Sequence, residues 1–266
     1  MTKSTFTALD VYKILPQTNC GKCFLPSCLA FAAAIVAGSK KFKDCPDLDP
    51  ESGAEFSAKF ESPGSREIDR AEFIHKLKKK ILAVNFETVA PLIGATVQDG
   101  KIIINSMGKD FVFDQEGNMV SECHIIPWVQ APLLSYITYK THADITGKWI
   151  SFREIKGGIE WQALFTSRCE EPLRKLADEN PDLLNDLIDL FMGKTIDWYE
   201  ADIALILYPL PKIPILICYQ APEDDLESKL TIFFDECCST NLHIKSIFTL
   251  SSGLVQMFSK IAEHHL

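Results

Sequence analysis

The chain has no uninterrupted apolar run of membrane-spanning length. Its longest apolar stretch, IALILYPLPKIPILICY at 203–219, is broken by Pro209, Pro211, Lys212 and Pro214. It therefore predicts two buried strands around a rigid turn, and no membrane insertion is expected. Basic residues are in deficit as well, with 27 Lys and Arg against 36 Asp and Glu and a net charge of −9. Phosphate-backbone binding depends on clustered Lys and Arg, and no basic stripe interleaved with aromatics occurs, so nucleic acid is not an expected partner. The first fourteen residues, MTKSTFTALDVYKI, lack the continuous apolar core of about 7 to 15 residues that a secretory signal needs, and a cytoplasmic location is expected. P-loop, G-x-G-x-x-G and H-E-x-x-H patterns are absent, as is a Ser-His-Asp order. There is no internal repeat or low-complexity tract.

Cysteine, by contrast, is plentiful. Nine are present, and four fall within 26 residues as Cys20-x2-Cys23-x4-Cys28-x16-Cys45. In an intracellular chain such crowding favours a metal over a disulfide framework. The fourth thiol is within reach of the others. A helix from about 28 to 38 carries the chain away by roughly 15 Å at ~1.5 Å per residue, and residues 39–45 span up to ~23 Å when extended. A cubane iron–sulfur cluster needs four thiolates around a compact core, and Cys28 at a helix start would gain from the nearby amides. Gly21 would let the loop turn tightly. Zinc held by four cysteines is the alternative, although zinc modules usually present two short-spaced pairs and only one C-x-x-C occurs here.

The stretch NCGKCFLPSCLAFA, with CP at 45–46, resembles the small iron–sulfur domain of the corrinoid iron–sulfur protein large subunit and of a membrane electron-transport complex subunit. The resemblance covers roughly residues 10–50. It implies one [4Fe-4S] cluster held by Cys20, Cys23, Cys28 and Cys45, in anaerobic metabolism, with a corrinoid-linked setting among those the resemblance offers. Phe24 departs from the pattern, in which Gly is frequent. The body resembles a second family, the uncharacterised bacterial domain of unknown function 3786, over about residues 70–260. The resemblance rests on LLSYITYKTHADITGKWISFREIKGG, PLPKIPILICYQAPEDD and LTIFFDE. That family supplies no reaction; it implies a two-part architecture with the iron–sulfur module in front. The acidic residues at 223–225 depart from its pattern.

Periodicity predicts a small helical module over 1–60, a linker over 61–69 (ESPGSREID) and an α+β domain with antiparallel sheet over 70–266. Helices are expected at 7–15, from Pro26 and Ser27 to Gly38, near 50–60, and at 71–84, 128–141, 171–178, 181–192 and 250–263. Strands are expected within 92–120 around Asp99-Gly100 and the QEGN turn, and at 203–208, 214–219 and 230–235. The helix LAFAAAIVAG is apolar on every side, so it predicts docking against the body, a second copy or a redox partner. Lys22, Lys40, Lys41 and Lys43 would steer an acidic partner or form a solvated rim.

Other candidates have bland readings beside sharp ones. Cys237 and Cys238 are a vicinal pair better read as packing residues, and Cys123-His124, Cys169 and Cys218 lack partners. In GKWISFREIKGG at 147–158, Trp149 and Phe152 read as loop anchors, with Arg153 pairing a carboxylate. Asp235 is either catalytic or a strand-end cap. Three functions therefore stand: an electron carrier serving a protein partner, an enzyme using Arg153, Glu154 and Asp235 near the cluster, or a structural or assembly adapter with a static metal.

Overall fold

A computed structural model describes residues 7–36, 40–49, 52, 63–122, 127–224 and 226–265. They form two compact units, Met1–Glu72 and Phe73–Leu266. The first contains α1 (Ala8–Tyr12) and α2 (Cys28–Val36). The short helix expected near 50–60 lies outside the described residues except for Ser52, as do Gly38 and Cys123-His124. The linker expected over 61–69 is helical from Pro63 onward, within α3 (Pro63–Ile81). Proline is well tolerated in a first turn, and the Arg, Glu and Lys that follow are good helix formers, so linker-like composition gives way to helix.

The second unit is α+β with two antiparallel sheets. Before the first sheet comes α4 (Phe86–Ile93), which periodicity missed because Thr88, Val89 and Pro91 weaken its helical signature. Asn85 Oδ1 caps it by accepting the Thr88 N–H at 3.1 Å, and Gly94 ends it at φ 71°. Phe86, Ala90 and Ile93 form its buried face. The first sheet is a meander of β1 (Thr96–Gln98), β2 (Lys101–Ser106), β3 (Lys109–Phe113) and β4 (Met119–Ser121). Asp99 and Gly100 both have positive φ, 51° and 71°, as the favoured two-residue hairpin requires. Along β2, Ile102 and Ile104 are buried while Lys101 and Asn105 face out, the two-residue period of a half-buried strand.

Helix α5 (Pro127–Ile137) follows, and then β5 (Trp149–Ser151). The sequence read β5 as loop, because a three-residue strand has no periodicity; pairing with a distant strand creates it. Residues 162–170 are helical too, in α6 (Gln162–Phe165) and a π-turn over Thr166–Glu170, leading to α7 (Glu171–Glu179) and α8 (Leu183–Leu190). The second sheet then completes with β6 (Lys194–Thr195), β7 (Ile203–Leu210), β8 (Ile213–Gln220) and β9 (Lys229–Asp235), in the order β5-β9-β8-β7-β6. β8 is central and buried from Ile213 to Tyr219. Helices α9 (Cys238–Asn241) and α10 (Ile244–His265) end the chain. α10 starts six residues before the expected 250, because its apolar stripe begins with Ile244 and Ile247.

The tight β7–β8 turn at Pro211-Lys212 is half-buried, and its peptide groups need partners. The Tyr136 hydroxyl accepts the Lys212 N–H at 3.1 Å and donates to Ile93 O at 2.8 Å. Asn241 Nδ2 donates to Lys212 O and Ala143 O, both at 3.0 Å, while Asn241 Oδ1 accepts the Ala143 N–H at 2.6 Å. Asp235, fully buried, accepts from Thr146 N–H and Oγ1, Gly147 N–H and Cys237 N–H at 2.7–3.1 Å. Burial pushes its carboxyl pKa up, but the hydrogen bonds from Cys237 and Thr146 outweigh that and hold it below the ordinary 3.8.

Two outcomes are expected. Tyr136→Phe leaves the buried Ile93 carbonyl and the half-buried Lys212 N–H without their partner and should cost about 2–4 kcal/mol in chemical unfolding. Asp235→Asn should cost a similar amount, about 2–4 kcal/mol, at neutral pH. Since the folded pKa is depressed, the aspartate's contribution is present above its unfolded value and fades as pH falls through the folded one. The stability gap between wild type and Asp235→Asn should therefore narrow in acid, and a pH-independent gap would contradict the assignment.

Candidate metal centre

Within the first unit, α1 begins at a capping box. Thr7 N–H donates to Asp10 Oδ2 at 2.9 Å and Asp10 N–H to Thr7 Oγ1 at 3.3 Å. Helix α1 is shorter than the expected 7–15, but it still delivers Val11, with Leu15 just beyond it, to a small apolar cluster. The cysteine loop follows. Gln17, Asn19, Gly21 and Phe24 have φ of 58°, 49°, 72° and 63°. Such repeated left-handed residues curl a loop tightly. Phe24 adopts this conformation where the resembling domains often have Gly, and its ring is 92% exposed.

Helix α2 starts at Cys28. Ser27 Oγ accepts the Ala30 N–H at 3.1 Å, so Ser27 is the cap and Pro26 lies just outside the helix. Asn19 supplies a second tie that sequence reasoning missed. Its Oδ1 accepts the Cys28 N–H at 2.8 Å, and its own N–H donates to Cys28 Sγ at 3.3 Å. An Asx residue nine positions before a helix start gives no local capping signal, so only the folded loop reveals it. Cys28, Phe31, Ala32 and Ile35 face the cluster, while Leu29 remains 46% exposed. The all-apolar helix is thus half covered within its own unit.

The chain returns through a short turn at Phe42–Asp44 with Phe42 buried. Cys45 then joins Cys23 and Cys28 in the same apolar cluster. Cys20 is exposed. Lys22 Nζ meets Asp47 Oδ1 at 2.6 Å, tying the loop to the returning segment. Lys22 holds the Asp47 carboxyl below its ordinary range, with a smaller contribution from Cys20, which places the Cys20 thiol beside Asp47. Lys22 is therefore engaged inside the module, whereas Lys41 and Lys43 are exposed. Among the described residues, no three His, Cys, Asp or Glu side chains are gathered closely enough to hold a single metal ion. The donor set nevertheless fits a multi-iron cluster. Four cysteines are a usual ligand set for an iron–sulfur cluster, and soft thiolates with the Asn19 N–H bonded to Cys28 Sγ suit it.

In the second unit the other candidates separate. Glu154 Oε2 accepts from Ser151 N–H at 2.8 Å and Ser151 Oγ at 2.6 Å, so it closes a local capping box. Arg153 is exposed and contributes to holding the Glu154 carboxyl low, after the Ser151 hydrogen bonds. Asp235 has its oxygens occupied by the buried bonds described above and is the structural cap. These three residues do not share a site open to substrate. Cys237 and Cys238 are buried, and burial pushes both thiols up, Cys238 to about 12. Cys237 Sγ donates to Lys212 O at 3.5 Å, so the pair serves packing. Cys169 and Cys218 are likewise buried, with thiols raised by burial to about 12.

Comparison with known proteins accounts for both units. Residues 15–46 match the family model described as "Putative Fe-S cluster". Over 42 residues the chain is 52% identical to the acetyl-CoA decarbonylase/synthase complex subunit gamma of Methanothermobacter thermautotrophicus, covering 16% of this chain and 9% of that protein. Subunit gamma 2 of Methanosarcina mazei is 54% identical over 43 residues, covering 16% and 9%. The corrinoid/iron-sulfur protein large subunit of Moorella thermoacetica is 48% identical over 40 residues, covering 15% and 9%. The chain thus spans only about a tenth of the length of these relatives, and the matches point to an iron–sulfur cluster. No solved structure matches the chain. The remainder is accounted for by one further model, which matches residues 85–257: the chain belongs to the family described as Domain of unknown function (DUF3786).

Proposed function

We propose that the first unit holds one [4Fe-4S] cluster through Cys20, Cys23, Cys28 and Cys45, and that the protein transfers single electrons to a partner protein in the cytoplasm of an anaerobe. The observation that carries this reading is the folding of Cys23, Cys28 and Cys45 into one apolar cluster, with Cys20 on the adjoining loop. When bound, such a group accepts and releases one electron without breaking bonds. The chain's own residues supply the rest. The apolar cluster limits water around three sulfurs, and the Asn19 amide stabilises negative charge on Cys28 Sγ. Phe24 and Leu29 leave an apolar surface near the loop for a partner to cover. The relatives' names make a corrinoid protein a reasonable partner to test first.

Anaerobically purified protein should contain about four irons and four acid-labile sulfides per chain, with a broad absorption near ~400 nm that bleaches on reduction. Colourless protein with one zinc would sink the proposal. Serine at Cys20, Cys23, Cys28 or Cys45 should lose or convert the cluster, whereas Cys237→Ser and Cys238→Ser should keep full iron content. At Asn19, glycine retains left-handed freedom but loses the cap, while alanine loses both. Iron retention under a chelator should therefore fall in the order wild type, Asn19→Gly, Asn19→Ala. Equal retention by all three would remove Asn19 from the loop's support.

A further inference from the structure

The second unit holds two adjoining cavities that neither family match explains. One, of about 640 Å³, is walled by Ile155, Lys156, Ser239, Leu242 and His243. The other, of about 860 Å³, is walled by Lys80, Val84, Asn85, Ile137 and Lys140. Tyr139 and Thr141 line both, so the two form one elongated cleft with an aromatic ring at its middle. Each half has the volume of an ordinary small-molecule site.

The charge of this cleft runs against that of the unit as a whole. Residues 73–266 carry 26 acidic and 18 basic side chains, yet the lining contains three lysines, a histidine and no carboxylate. Lys80, Lys140 and Lys156 have no ion-pair partner among the described residues. In the same unit Lys148, Arg174 and Lys212 are each matched to an acid, although most of its other described lysines are not; what sets the cleft apart is that three such lysines line it with no carboxylate among them. The neutral polar groups also offer protons. His243 Nδ1 accepts the Lys245 N–H at 3.2 Å, which places the neutral ring's proton on Nε2 as a donor. Asn85 Oδ1 is used by the Thr88 N–H, leaving its Nδ2 free to donate.

The walls are pinned from behind. Thr141 Oγ1 donates to Thr240 O at 2.8 Å, joining the two chain segments that line the cleft. Asn241, between the lining residues Thr240 and Leu242, then holds Ala143 from both its amide atoms, two residues beyond Thr141. A cleft braced this way is preformed and costs little ordering entropy on binding.

We propose that this cleft binds a small organic polyanion, with phosphate or carboxylate groups held by Lys80, Lys140, Lys156 and His243 and an apolar or planar middle against Tyr139. The site lies wholly in the DUF3786 unit and stands apart from the cluster assignment. Full-length protein should be titrated calorimetrically at fixed ionic strength with ADP, pyrophosphate and citrate. At least one should bind saturably with one site per chain. Lys140→Gln and Lys156→Gln should each weaken it tenfold or more, while the exposed Lys101→Gln, away from the cleft, changes nothing. Binding of ADP and pyrophosphate alone identifies a phosphate ligand, and binding of citrate alone a carboxylate one. Tyr139→Leu should weaken ADP more than pyrophosphate if the ring contacts the ligand's middle. Circular dichroism and iron content, unchanged in each variant, separate a lost site from a lost fold or cluster. Failure of all three anions to bind would overturn the proposal. So would affinity unchanged by both lysine variants, or an equal loss with Lys101→Gln.

Discussion

The second unit is organised by the need to satisfy one half-buried turn. The β7–β8 hairpin buries most of its side chains, and Pro211-Lys212 must reverse the chain at a half-buried position. A peptide group left without a partner there costs as much as a lost hydrogen bond. Tyr136 and Asn241 meet that demand from α5 and α9. Tyr136 also reaches the last residue of α4, and Asn241 also grips Ala143. Two residues thereby position four segments that are distant in sequence. Asp235 does the same for the loop at 146–147 and the start of the Cys237-Cys238 segment.

That knot also occupies Asp235, one of the residues that looked catalytic. A buried aspartate next to two cysteines invites a redox or nucleophilic reading. Its oxygens, however, are filled by four backbone and hydroxyl donors, and the neighbouring thiols are kept protonated by burial. The chemistry-bearing surface instead lies just outside the knot, where the braced segments 138–141 and 239–243 leave a cationic cleft. Rigid backing and an open, unpaired lining are complementary features of a binding site.

The first unit works from a different constraint. Its apolar cluster is small, and cysteines form a third of its buried members. A module with so little interior would draw stability from a cluster bound at its thiols, as the proposed function requires, since metal-binding free energy is folding free energy in such domains. The left-handed loop residues and the bonds from Asn19 hold the thiols in a constrained loop around Cys28.

Much of this was legible in the amino-acid sequence. The crowded cysteines, the α+β class, the Asp99-Gly100 hairpin and the proline-bounded strands all rest on local rules: spacing, alternation and turn chemistry. Local rules failed where the deciding partner is remote. β5 is a strand only because β9 lies beside it, and α4 was obscured by residues whose propensities conflict with its buried face. The 61–69 segment looked like a linker by composition, yet is helical from Pro63. Asn19, Lys22 and Asp47 acquire their roles from contacts spanning 9 and 25 positions. The cleft is the extreme case, since Lys80, Lys140, Lys156 and His243 have no sequence relationship at all. The sequence by itself determined which residue types and elements this protein has. Only the tertiary structure decided which side chains spend their charge on one another and which remain free, because that depends on distances between segments that no local pattern encodes.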